Sequence, residues 1–553
     1  LLQEITMLFV EFARKSGRIG LLLLFATSLS AVGRAAEPGF DVVVYGGTAG
    51  GVAAAVTAAR AGRTVVLIEP SAHLGGMTSG GLGATDIGNK TVIGGFARDF
   101  YRRLGTHYAQ DASWTFQKRA DYKSGRQQGG EAEMWTFEPH VAERLFDELC
   151  QEAGVTVLLN ERLDLVLGAT QHAARLRSLW LESGREIAGR VFIDASYEGD
   201  LMAKAGVAYH VGREANATYG ESLNGVQTVQ ATKHQFKVPI DPFREPGNPT
   251  SGLLFGIHAG TPGRDGTGDR RVQAYNFRMC LTDAPGNRIP FPKPPNYRRE
   301  NYELLRRYIE AGVWDAFCSN IPMPNRKSDC NNCGAFSTDF IGESYDYPEA
   351  NHSRRAQIIT AHAEYQQGLM YFLANDEQVP AKIRAEVSVW GLCRDEFTDN
   401  GGWPHQIYVR EARRMISDVV MTQHHCQSRE TVSDSVGMAA YTMDSHNVQR
   451  YAQGGRVFNE GDVQVGGFPP YPISYRAIVP REAECANLFV PVCLAASHIA
   501  YGSIRMEPVF MVLGESAALA ADLALRDDVA VQQVPYARLR ERLLEARQVL
   551  QRP

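Results

Sequence analysis

Cysteine is scarce in this chain: nine residues in 553, at 150, 280, 318, 330, 333, 393, 426, 485 and 493. So wide a scatter excludes a small disulfide-stapled scaffold and leaves a hydrophobic core to hold the fold. Cys330-Asn-Asn-Cys333 is the one close pair. A structural zinc would need four ligands and a second such pair or paired histidines, and neither lies nearby. A local disulfide is the expectation, with metal or redox use as the alternatives. Excess charge is also lacking, since the formal net charge is −5, which gives no reason to expect nucleic acid or an anionic membrane as partner. Internal repeats and low-complexity tracts are absent.

Long apolar runs are missing too. The run Ile19 to Val32, preceded by Arg14, Lys15 and Arg18 and followed by small residues at Gly33 to Ala36, falls short of the roughly 20 residues of a membrane span. Charge, apolar stretch and small residues in that order predict an export signal over residues 1–36 and a periplasmic or secreted protein. A membrane partner is expected only if this segment stays uncleaved. The chain exceeds the ~250–300 residues at which one core stops growing, so two domains are expected.

What the sequence does contain is a strand, a glycine turn, a helix and a second strand ending in an acid. Asp41-Val-Val-Val-Tyr runs into Gly46-Gly47-Thr48-Ala49-Gly50-Gly51, an Ala-rich helical stretch follows, and Thr64-Val-Val-Leu-Ile ends at Glu69. Glycines bring backbone close to a pyrophosphate, the helix N-terminus offers unpaired N–H groups, and the acid bonds a ribose hydroxyl. Glu69 lies 18 residues past Gly51, close to the usual spacing of ~20. Thr48 stands where the pattern has its middle glycine.

A second glycine-rich loop follows at Gly75-Gly76-Met77-Thr78 to Gly83, then a helix over Glu138 to Cys150 with Pro139 in its first turn. Short runs at 155–159, 163–167, 176–181 and 190–194 read as a β-meander returning to a parallel sheet. Residues 215–470 are rich in Pro and Gly, with helices expected at 302–317, 352–373 and 381–390; they predict an inserted α+β cap or substrate domain. Asn487 to Val492 reads as a buried strand and Pro508 to Ala524 as a buried helix. The organisation is α/β: a dinucleotide-binding domain from 37–214 and 471–530, the insertion between, and a C-terminal helix or tail at 531–553.

Together Gly46 to Gly51, Glu69-Pro70 with His73-Leu-Gly-Gly-Met77, Phe192 to Asp200, Tyr408 to Arg414 and Ala496 to Pro508 resemble the FAD-dependent oxidoreductases of the glutathione-reductase-type superfamily. The nearest likeness is to the exported bacterial branch sometimes labelled xanthan lyase-like. The resemblance implies a Rossmann FAD-binding domain, a ββα sandwich with a β-meander, and FAD as cofactor. By it Gly46 to Gly51 cradle the pyrophosphate, Glu69 and Pro70 border the adenosine ribose, and Gly75 to Thr78 pass beside the isoalloxazine. Asp194 meets the ribityl or pyrophosphate region, and the helix at Pro508 points at the flavin pyrimidine. His73 lies where some relatives attach flavin covalently, or is a loop histidine bonding backbone. No second turn of this type suggests an NAD(P) domain, so oxygen, a quinone or an unidentified carrier is the expected electron acceptor.

Oxidation at an alcohol-type carbon needs a base, and His498 is the first candidate; the alternative is a histidine bonding backbone at a chain crossing. Arg505 binds a carboxylate or sugar hydroxyl, or pairs with Glu507 or the flavin pyrimidine. His405 opens an alternating run into Arg410, Arg413 and Arg414, whose guanidinium groups recognise carboxylates or pair with neighbouring acids such as Glu411. Residues 393–395 and 400–403 are expected on the cap side, with Trp403 a sugar platform or a core aromatic. The expected function is oxidation of a small polar substrate such as a sugar, sugar acid or hydroxy acid. The alternatives are thiol–disulfide chemistry at Cys330 and Cys333, or a non-catalytic glycan-binding module.

Overall fold

A parallel sheet with its most apolar strand at the centre organises the computed structural model, which describes residues 39–317 and 321–552. The central strand β1 (Phe40–Tyr45) is flanked by β2 (Val65–Glu69) and β6 (Glu186–Asp194), with β3 (Thr156–Leu159) outside β2 and β7 (Leu488–Phe489) beside β6, all parallel. Val42, Val43 and Val44 are fully buried, and a strand buried on both faces is a continuous apolar run rather than an alternation.

The first half of β6 has a different partner. There β4 (Ala169–His172), β5 (Arg175–Trp180) and β6 form an antiparallel meander, Leu179 pairing with Ile187, while the second half of β6 pairs with β1 and β7. This corrects two of the expected meander strands. Residues 156–159 belong to the parallel sheet, and 165–167 form a turn, because the Asp164 carboxylate accepts from the N–H groups of Val166 and Leu167 at 2.7 and 3.0 Å.

Helix α1 (Ala49–Arg60) is nearly all Ala, Val and Gly, and so presents a smooth surface to its neighbours. After it come α2 (Gly95–Tyr108), α3 (Pro139–Ala153), α4 (His352–Asn375), α5 (His498–Ile504) and α6 (Glu507–Asp527). Helix α3 has Pro139 in its first turn and Gly154 in the left-handed conformation past its end. Helix α6 packs on α1 at a crossing with no room for side chains: a Cβ on Gly514 would lie 2.0 Å from the Gly50 carbonyl oxygen. Gly50 therefore serves helix packing.

Between Asp194 and Leu488 the chain leaves the parallel sheet. It builds a five-stranded antiparallel sheet from 279–282, 288–289, 321–323, 327–330 and 391–393, with smaller two-stranded ribbons. The helix expected at 302–317 covers only Glu303–Glu310 and breaks at Gly312, which has φ +88°; the one expected at 381–390 stops at Val387. Among the described residues α6 alone is long and apolar enough to cross a membrane, and it is wholly buried. The segment read as an export signal lies outside the described residues.

Candidate functional site

At the C-terminal ends of β1, β2 and β6 a cleft of about 910 Å³ opens to solvent, walled by Gly46, Thr48, Glu69 and Pro70 on one side and by Ser196 and Tyr197 on the other. Parallel sheets hold ligands at this edge, where helix N-termini and strand-end loops converge. Gly46 has φ +101°, and a Cβ there would lie 2.5 Å from the Ser196 nitrogen, so no other residue fits this turn. Thr48 replaces the middle glycine by making itself useful within the protein. Its hydroxyl donates to the Ala195 carbonyl at 2.8 Å and accepts from the Gly51 N–H at 3.1 Å, capping α1.

Glu69 accepts from the N–H groups of Gly47 and Ser71, both at 2.7 Å, one on each carboxylate oxygen. Burial pushes its pKa up from the ordinary carboxylate range. Each oxygen keeps a lone pair for a ribose hydroxyl. The second glycine loop runs alongside, with Gly75 N–H donating to the Gly47 carbonyl at 2.7 Å, and Gly76 joins the cleft wall. His405, Gln406 and Ile407 close the cleft from the long insertion, as do His352 and Arg355 from the first turn of α4. Both ring nitrogens of His405 are buried without a hydrogen-bond partner among the described residues. Burial lowers its pKa to about 3, so the ring is neutral. Orphaned polar atoms, an acid with free lone pairs and a tight glycine turn fit a bound dinucleotide.

Other residues read from the sequence as cofactor contacts lie behind this wall. Asp194 is fully buried, and its oxygens accept from Ser196 N–H and Oγ and from Met202 N–H at 2.7 to 3.1 Å. It holds the loop that carries Ser196 and Tyr197, and those two residues line the cleft in its place. Met77 and Thr78 are buried, as are Ala49, Gly50 and Gly51 in the first turn of α1. His73 has both ring nitrogens engaged, by Glu143 at 2.7 Å and Asp399 at 3.0 Å, and stacks on His405 at 3.8 Å. Its hydrogen bond to Glu143 raises its pKa. Pro508 lies in the first turn of α6, whose leading residue Glu507 accepts from Tyr197 Oη at 2.7 Å and Thr78 Oγ1 at 3.1 Å. Burial raises the Glu507 carboxyl to about 7.

A second cleft, of about 630 Å³, lies on the other side of the Ile407–Tyr408 stretch, with Tyr408, Arg505 and Met506 in its wall together with Asp86, Arg278, Asp444 and His446. Arg505 donates to Tyr408 Oη at 2.7 Å and to the Asp444 carbonyl at 3.0 Å, so the pairing with Glu507 is not made. Arg278 grips Asp329 with two hydrogen bonds of 2.7 and 2.8 Å. Arg505 Nε and Arg278 Nη1 are buried without hydrogen-bond partners among the described residues. Burial raises Asp444 to about 7 although Arg505 opposes it.

The remaining candidates lie outside both walls. His498 is 2 % exposed, its Nδ1 2.7 Å from Glu411 and its N–H on Glu214, and burial lowers its pKa to about 3. Arg410 pairs with Asp339 at 2.9 Å and Arg413 with Asp200 at 2.7 Å, so the acids they recognise belong to the protein. Glu411, the neighbouring acid expected to pair with this basic cluster, does so with Arg414. Trp403 is buried edge-on against Phe277, in the core. Asp395, with Glu138 and Glu396, surrounds the buried ammonium of Lys327 at 2.6 to 2.9 Å. That ammonium neutralises the Glu138, His140 and Glu396 cluster. Cys333 is disulfide-bonded, and Cys330 is buried in the strand 327–330; neither is among the residues lining these two clefts.

The model of a family described as FAD dependent oxidoreductase matches residues 41–543. No curated protein matches the chain. Among solved structures, the L-amino acid deaminase from Proteus vulgaris aligns at 16% identity over 32% of this chain and 53% of its own, with a TM-score of 0.24. The L-proline dehydrogenase from P. horikoshii aligns at 15% identity over 32% of this chain and 58% of its own, with a TM-score of 0.21. The 3-ketosteroid-delta4-(5alpha)-dehydrogenase from Rhodococcus jostii RHA1 aligns at 18% over 31% and 48%, with a TM-score of 0.20. The chain spans about half the length of these structures, and alignments at such scores carry no argument about substrate.

Proposed function

This chain belongs to the family of FAD dependent oxidoreductases, and on that premise we propose that it oxidises a small polar substrate, such as a sugar, sugar acid or hydroxy acid, in the second cleft. The observation that carries the proposal is the composition of that cleft. Two guanidinium groups, Arg505 with no hydrogen bond at Nε and Arg278 with Nη1 3.7 Å from Asp86 Oδ2, share it with Asp86 and Asp444, next to the residue preceding α6. Buried donors of this kind are costly unless a ligand supplies acceptors, and guanidinium groups match carboxylates and vicinal hydroxyls.

When bound, FAD supplies a two-electron acceptor for hydride. The first cleft provides Glu69 for the ribose and the Gly46 to Thr48 turn for the pyrophosphate. Arg505 positions the substrate, its own orientation held by Tyr408. With both His73 nitrogens occupied by carboxylates, FAD is held without a covalent bond. Electrons return to oxygen, a quinone or an unidentified carrier, and the N-terminal segment directs the protein to the periplasm or out of the cell.

The test is the visible spectrum of purified protein before and after acid precipitation, followed by anaerobic mixing with sugars, sugar acids and hydroxy acids. A yellow supernatant and bleaching by one such donor are expected. Arg505→Lys should raise KM for that donor roughly 10- to 100-fold, the loss of a charge-assisted hydrogen bond, with flavin content unchanged. A panel that leaves the flavin oxidised refutes this substrate class.

A further inference from the structure

Two histidines, His234 and His446, line the second cleft, which His498 does not reach. His446 is among the residues lining it, and its Nδ1 lies 2.9 Å from Oδ2 of Asp339. Asp339 is 1 % exposed and pairs through its other oxygen with Arg410 at 2.9 Å. Burial works to raise the Asp339 carboxyl, but Arg410 and His446 hold it below the ordinary range, so it is a carboxylate. A carboxylate only accepts hydrogen bonds, so the proton of the neutral ring sits on Nδ1 and the lone pair on Nε2. No hydrogen bond engages Nε2 among the described residues.

Resting on the oxidation reading above, we infer that His446 is the proton acceptor for the substrate hydroxyl and that Asp339 is its positioning residue. The O–H bond of the substrate breaks and its proton passes to the Nε2 lone pair. The C–H electron pair would leave as hydride, for which FAD, when bound, would supply the two-electron acceptor, as the carbonyl double bond forms. The imidazolium, balanced by Asp339, then returns its proton to water. A histidine oriented at one nitrogen by a buried carboxylate, with the other facing a reacting group, is the general arrangement for this task.

The charged and titratable groups around the ring bear on its pH behaviour. Asp339 and Arg410 lie behind it, and Arg505, Asp444 and His234 share the cleft, with Asp462 bonded to His234 at 2.7 Å. Burial and Arg410 lower His446 to about 4, so the accepting form is present throughout the neutral range.

His446→Gln and Asp339→Asn would be loaded with FAD and mixed anaerobically with lactate, gluconate and glucose, alongside the wild type. For the donor that bleaches the wild type, His446→Gln is expected to slow bleaching by roughly 10²- to 10⁴-fold at unchanged flavin content. The acid limb of the wild-type profile, with its midpoint near 4, should vanish with it. Asp339→Asn should lower kcat more than it raises KM. In ¹⁵N spectra of histidine-labelled protein, wild-type His446 should carry its proton on Nδ1, and in Asp339→Asn part of it should move to Nε2. Bleaching of His446→Gln at the wild-type rate, or a wild-type Nε2–H ring, overturns the assignment. If no donor bleaches the wild type while the Nδ1–H ring is present, the oxidation reading itself falls, and the proton-accepting role falls with it.

Discussion

Tyr197 and Glu507, 310 residues apart in sequence, meet through a 2.7 Å hydrogen bond from the phenol to the carboxylate. The same phenol oxygen accepts from the Met77 N–H at 2.8 Å, so one side chain ties the second glycine loop, the loop after β6 and the first turn of α6. All three segments border the cofactor cleft or lie directly behind it.

Tyr197→Phe leaves the buried Met77 N–H without an acceptor and Glu507 Oε1 without a donor, while Thr78 keeps the other carboxyl oxygen; each loss costs about 1–3 kcal/mol. A lower Tm and a reduced flavin-to-protein ratio are expected together. If the ratio is unchanged while Tm falls, the knot serves stability alone.

Gly514→Ala places a methyl group 2.0 Å from the Gly50 carbonyl oxygen, against backbone that cannot swing aside. Helices α1 and α6 must separate, and overpacking of this kind costs about 1–3 kcal/mol. Because α1 carries the Gly46 to Thr48 turn at its start, and that turn is proposed to hold the cofactor, weaker flavin retention should accompany the lower Tm. Dialysis against flavin-free buffer measures that retention.

Glu515 accepts from the Phe96 N–H at 2.9 Å and from Gln548, and burial raises its carboxyl to about 7. A folded-state pKa above the unfolded value means that the native state holds the extra proton. Stability from this group is therefore full below the unfolded pKa of about 4.5 and falls as pH rises towards 7. Glu515→Gln keeps an oxygen for Phe96 and cannot ionise, so its Tm should fall less than the wild type's between pH 5 and 7. Parallel Tm curves for the two proteins would refute the linkage.

Much of the cofactor half was legible because its signals are local. The apolar run of β1, the turn at Gly46 and the acid ending β2 lie within one stretch, and the long buried helix after Arg505 declares itself by composition. Thr48 departs from the glycine pattern, but only the fold shows the Ala195 carbonyl and Gly51 N–H that its hydroxyl satisfies. The second cleft was not legible. Its walls come from residues near 86, 234, 278, 446 and 505, and His446 sits in Asp444-Ser-His446, which has no spacing to mark it.

The sequence by itself determined the dinucleotide turn, the apolar strands and the helix that covers them, since backbone geometry and hydrophobic periodicity act over a few residues. Only the tertiary structure decided which ionisable groups are spent on one another and which keep an unpaired atom. Arg410 and Arg413 were read as ligand-binding and are taken by Asp339 and Asp200, whereas Arg505 keeps a free donor and His446 a free lone pair. The physical reason is that a charge's role depends on its nearest opposite charge, and here those partners come from distant parts of the chain.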